Sequence, residues 1–155
     1  MMTAAQRIAA IDELPAVELC TRAMSALDQL VTVMNEETTL LRAGRLKDAS
    51  VLTGEKTALA QDYVGLVRSI QRQTARLLKE APDAVRALRS GHERLATQLA
   101  ENLRALSTAK AVTEDILTDV AQAVGQKSQT RTYGATGQMA HAPQVARGIA
   151  INRAR

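Results

Sequence analysis

Three long runs of residues spaced alternately by three and four, mostly apolar and separated by helix breakers, restrict this chain to an all-helical fold. The first run is Cys20, Met24, Leu27, Val31, Met34, Thr38 and Leu41, a stripe with heptad a/d spacing. Pro15 suits a first helical turn, where its missing N–H is harmless, and Asp12 and Glu13 before it place negative charge at the positive end of the helix dipole. Gly44 suits the left-handed residue that closes a helix. The spacing therefore predicts a first helix from about Glu13 to Ala43.

The second run is Ala49, Leu52, Lys56, Leu59, Tyr63, Leu66, Ile70, Gln73 and Leu77, and it stops at Glu80-Ala81-Pro82-Asp83. The third is Val85, Leu88, His92, Leu95, Leu99, Asn102, Leu106, Ala109, Thr113, Ile116, Val120 and Ala123, with Gly125 as its stop. These helices measure about 35 and 43 residues, roughly 50 and 65 Å at the usual rise. Short connections force neighbours to run antiparallel, so the expected fold is an elongated antiparallel three-helix bundle, a long helical hairpin plus an N-terminal helix. Leu30, Val33, Leu40, Val51, Val67, Leu103 and Val112 widen the stripes enough to face two neighbours. Leu59, Leu66, Leu95, Leu99 and Leu106 are expected in the core.

Counting outward from a turn at Pro82 sets Leu46 beside about Thr118, so residues 119–125 are expected to run past the turn between the first two helices. At the other end Ile70, Leu77, Val85 and Leu88 are left half covered, and Ile8 and Ile11 are the natural cover. With two Tyr, no Phe and no Trp, the interior must be aliphatic, which favours a thin bundle over a deep core. Cys20 is the only cysteine, so neither an intramolecular disulfide nor a cysteine metal cluster is available, and a reducing compartment fits. The N-terminal residues lack the apolar run of a signal peptide, and no membrane-spanning run of 18 apolar residues occurs, so a cytoplasmic location is expected.

Charge divides the chain. Lys127, Arg131, Arg147, Arg153 and Arg155 give residues 126–155 a charge of +5 without an acid, so with a net charge of +4 the rest sums to −1. The expected organisation is a helical bundle over 1–125 and a flexible, basic C-terminal tail over 126–155 that folds on binding a client. The basic charges are spread thinly and only Tyr133 is available to stack on a base, which argues against nucleic acid.

Enzyme motifs are absent: there is no phosphate-binding glycine loop, no HExxH, and His92 and His141 have no carboxylate pair at ligand spacing. The expectation is a protein with no enzymatic activity, no metal and no cofactor. His92 reads as a polar break in a helical core and Cys20 as a small core hydrophobe. Lys56 and Asn102 are polar residues on apolar seams, where they set register. Glu36-Glu37 and Glu114-Asp115 read as solvated helix faces.

Residues 17–137 resemble the FlgN family of bacterial flagellar export chaperones. The likeness rests on Leu27-Asp28-Gln29-Leu30, on Asn35-Glu36-Glu37-Thr38-Thr39-Leu40-Leu41-Arg42-Ala43-Gly44, on Leu46, Leu52, Glu55-Lys56 and Leu59, and on the late Thr132-Tyr133-Gly134-Ala135-Thr136-Gly137. Arg45 departs from it, standing where an acid is usual. The resemblance implies a cytoplasmic chaperone that masks C-terminal helical segments of flagellar hook-filament junction proteins, the hook-associated proteins, and delivers them to the type III export gate. The alternative is a structural coiled-coil adaptor or self-assembling helical rod. For a client-binding protein the candidate contacts are Leu117, Val120, Val124, Tyr133, Val145 and Ile149, the aliphatic end of the third helix and the apolar residues of the tail.

Overall fold

The computed structural model describes residues 1–130, with side chains described for 1–127. It contains six helices: α1 (Ala4–Asp12), α2 (Ala16–Arg42), α3 (Leu46–Val51), α4 (Thr53–Arg72), α5 (Thr74–Glu80) and α6 (Pro82–Thr130). They take up 91% of the described residues, and no strand occurs among them. The chain divides into two compact units, Met1–Ala111 and Val112–Arg155.

The breakers act where their chemistry requires. Gly44 has φ +73°, and a Schellman motif forms around it: its N–H donates to Leu41 O at 3.1 Å, and Arg45 N–H donates to Leu40 O at 2.9 Å. Pro82 is the first residue of α6 and holds Ala81 out of the helical region at φ −144°, ψ 56°. Pro15 caps α2 in an extended conformation instead of lying inside its first turn.

Two expectations about helix count change. The expected first helix forms as one, α2, but a separate helix precedes it: Asp12 ends α1 and does not feed the dipole of α2, and Glu18 supplies that first-turn charge and pairs with Arg22 at 2.7 Å. The second is three, broken at Leu52 and at Gln73, whose φ −116°, ψ 19° is not helical. In addition, Gly125 does not stop α6, which continues to Thr130. Five residues of the segment read as tail are thus helical, and its remainder lies outside the described residues.

Within Met1–Ala111, side-chain contacts fix the helix directions. Glu37 of α2 meets Lys56 of α4, and Ala26 and Leu66 line one cleft, so α2 and α4 are antiparallel. Tyr63 and Lys56 of α4 meet His92 and Asn102 of α6, so that pair is antiparallel too. The midpoints of these contacts fall within α5 and not at Pro82. The reversal is centred there because the bend at Gln73 turns α5 onto α2, which buries Leu77 completely.

The core gathers Leu19, Cys20, Ala23, Leu27, Leu30 and Met34 of α2 with Tyr63, Leu66, Leu77, Leu88 and Leu95. None of the nine positions of the second stripe is exposed. The α6 stripe is only partly as expected: Leu95 is buried and Leu106 half-buried, but His92 is exposed and Leu99 is 44% exposed. Gly91, Gln98 and Ala105 turn inward in their place. The cause is steric, since a Cβ on Gly91 would lie 3.3 Å from Met24 Sδ and 3.4 Å from Leu27 Cδ1. A helix face that includes a glycine lets α2 come closer than one lined by His92 and Leu99. Three flanking residues expected to widen stripes, Val51, Leu103 and Val112, are exposed as well.

Three polar side chains join α2, α4 and α6 inside this core. The Glu37 carboxylate accepts from Lys56 Nζ at 2.7 Å and from Asn102 Nδ2 at 2.8 Å through the same Oε1. Asn102 also donates to Thr38 Oγ1 at 3.1 Å and to Met34 O at 3.3 Å. Glu37 is 2% exposed, so it is not a solvated face; it is the acceptor that the seam residues Lys56 and Asn102 were missing. A second polar cluster fastens α1. Asp12 Oδ1 accepts from Ser69 Oγ at 2.5 Å, Arg72 Nη2 at 2.6 Å and Gln73 Nε2 at 3.5 Å, while Arg76 donates to Leu14 O and to Gln73 Oε1.

Truncating Leu77 to Ala should cost about 2–5 kcal/mol, whereas Leu99→Ala should cost less than about 1 kcal/mol, as read by urea unfolding. Lys56→Met should cost roughly 3 kcal/mol, because it leaves a buried carboxylate short of its counter-charge. The bonds from Ser69 and Arg72 hold the Asp12 carboxyl below its ordinary pKa. Its contribution is therefore present above the unfolded-state pKa and is lost as pH falls through the lower folded value. Amide exchange of α1 should accelerate in that acid range in the wild type, and Asp12→Asn should show fast α1 exchange already at neutral pH.

Candidate functional site

Among the described residues no group of three or more His, Cys, Asp and Glu side chains is placed to hold a metal ion. Cys20 is 2% exposed, and burial pushes its thiol pKa up. A raised pKa lowers the thiolate fraction, so the side chain fills the core as a small hydrophobe. The Tyr63 hydroxyl, whose pKa burial also raises, shares a 2.8 Å hydrogen bond with Nδ1 of His92, and the two rings lie 6.0 Å apart at 26°. His92 is thus the exposed, polar end of a contact between α4 and α6, not a break inside the core.

Beside that contact runs an open apolar groove of about 390 Å³ between α4–α5 and the start of α6. Val67, Ile70, Leu77, Val85 and Leu88 line it, with Arg89 and Glu93 at its edge. The half-covered state expected for Ile70 and Val85 is present, while Leu77 and Leu88 are buried. Ile8 and Ile11 do not cover this groove. Asp12 holds α1 over the opposite cleft, where Ile8 and Ile11 line a space with Ala26, Leu59 and Leu66.

The second unit carries a different kind of surface. Within residues 112–127, Val112, Ile116, Leu117, Val120 and Val124 are each more than half exposed. Leu117, Val120 and Val124 step by three and four, and Val112, Ile116 and Val120 step by four, so the five make one broad stripe on α6. The heptad spacing places Ile116 on the seam, with Val112 as a flanking residue that widens it, yet both are exposed. A period identifies a face but not whether another helix covers it. Of the six candidate contacts, α6 brings together Leu117, Val120 and Val124; Tyr133, Val145 and Ile149 lie outside the described residues.

No family model, curated protein or solved structure matches the chain. What the surface can do must therefore be read from its own chemistry. Five aliphatic side chains on about three turns of one helix present a strip of the kind that a second amphipathic helix covers. No described helix is long and apolar enough to cross a membrane.

With its side chain buried and its pKa raised, Cys20 in the native protein should react with a neutral thiol reagent on the order of a hundredfold more slowly than in denaturant. Stopped-flow labelling checks this, and Cys20→Ala should leave any partner binding intact.

Proposed function

We propose that this chain is a non-enzymatic, cytoplasmic binding protein that masks an amphipathic helical segment of a client, acting as an export chaperone for flagellar hook-filament junction proteins. The carrying observation is the exposed aliphatic stripe at Val112, Ile116, Leu117 and Val120. A stripe of this size is costly to leave in water, and covering it with a client helix removes apolar surface from both partners. The likeness of residues 17–137 to the FlgN family supplies the identity of the client and the export-gate destination.

In this reading residues 1–111 form an antiparallel three-helix bundle of α2, α3–α5 and the first part of α6, with α1 as an N-terminal addition. The bundle is the rigid support, and the second unit is the grip. The basic segment beyond Thr130, with Tyr133, Val145 and Ile149, adds contacts to the client. The coiled-coil adaptor reading uses the same stripe for self-association, and sedimentation separates the two.

The test is titration calorimetry with C-terminal segments of hook-associated proteins. A defined stoichiometric complex is expected, and Leu117→Ser with Val120→Ser should weaken it at least tenfold, about 1.4 kcal/mol, with helicity unchanged. Deleting residues 131–155 should also weaken binding at least tenfold while leaving thermal melting nearly unchanged. Full-affinity binding by both variants would place the client on the faces of the first unit and defeat the proposal.

A further inference from the structure

One edge of the stripe on α6, the one formed by Val112 and Ile116, is acidic. Residues 112–127 contain Glu114, Asp115 and Asp119 against Lys127, which sums to −2, although the whole chain is +4. Asp115 lies three residues after Val112, and Asp119 three after Ile116 and seven after Val112. On a helix these spacings place both acids along the edge formed by Val112 and Ile116. Asp115 and Asp119 are exposed and one turn apart, so their carboxylates reinforce each other along that edge.

From this we infer that the segment received by the stripe is an amphipathic helix of another protein whose apolar face is bordered by Lys and Arg. The inference rests on the proposed client-binding role of the stripe and names the chemistry of what it binds. Apolar burial supplies affinity without choosing among amphipathic helices; the charges bordering the stripe make the choice, as e and g positions do in coiled coils. A basic border opposite Asp115 and Asp119 gains attraction at the rim of the contact, and an acidic one meets repulsion. The same rule disfavours a second copy, whose −2 surface would be laid against its like.

Two synthetic 20-residue helical peptides test this on the full-length chain. Both carry Leu at a and d; one has Lys and the other Glu at the bordering positions. At low ionic strength the Lys peptide should bind at least tenfold more tightly, and the ratio should shrink in added salt. The double exchange Asp115→Lys with Asp119→Lys lies on an exposed face. It should preserve the helical circular dichroism and reverse the preference, while Leu117→Ser with Val120→Ser should abolish binding of both peptides. Equal binding of both peptides by the wild type would overturn the inference and leave the client-binding role standing. Binding of neither would overturn both, and so would occupation of the stripe by a second copy or by residues 128–155, seen as the Lys peptide failing to bind.

Discussion

One buried carboxylate oxygen, Oε1 of Glu37, sets how the three principal helices of the first unit meet. It receives an ammonium from α4 and an amide from α6, so a one-residue slip of either helix breaks a charge-assisted bond in a place water does not reach. Aliphatic cores tolerate such slips, because Leu, Ala and Val fit many neighbours about equally well. A chain without Phe or Trp has few large shapes to impose a unique fit, and Glu37, Lys56 and Asn102 impose it by hydrogen bonding. The contact of Tyr63 with His92, two helical turns along α4, ties the same two helices at a second point, and the Asp12 cluster fastens α1 at the Gln73 bend. The polar contacts therefore define the arrangement that the apolar stripes only permit.

Much of this was legible in the residues themselves. The α2 and α4 stripes, the closure at Gly44 and the break before Pro82 follow from period and backbone chemistry, which act locally. What was missed depends on partners. Glu37 looked like half of a solvated acidic pair because neither its own helix nor its neighbours in sequence reveal Lys56 and Asn102. On α6 the apolar period favoured His92 and Leu99, whereas the buried face runs through Gly91, since closeness to Met24 and Leu27 outweighs side-chain hydrophobicity there. Asp12 was placed at the start of the wrong helix for the same reason: Ser69, Arg72 and Gln73 come to it from 57 to 61 residues away.

The candidate surface shows this limit in reverse. Ile116 and Val120 continue the heptad of α6 without an interruption, so their pattern equals that of core residues. Only exposure distinguishes a seam closed by the same chain from one left for something else. Counting helix lengths from Pro82 singles out Val120 and Val124, although the reversal is centred in α5. The two apolar openings also differ in kind. The groove beside Tyr63 is a short cleft with both charge signs at its edge, while the α6 stripe is a linear face with acids along one edge.

The contact between Tyr63 and His92 gives the molecule its own optical reporter. With no Trp and only Tyr63 and Tyr133 in the chain, near-ultraviolet absorption and emission come from two phenols, and one of them is packed in the core against an imidazole. The near-ultraviolet dichroism of Tyr63 therefore follows the packing of α4 against α6, and it can be recorded without attaching a label.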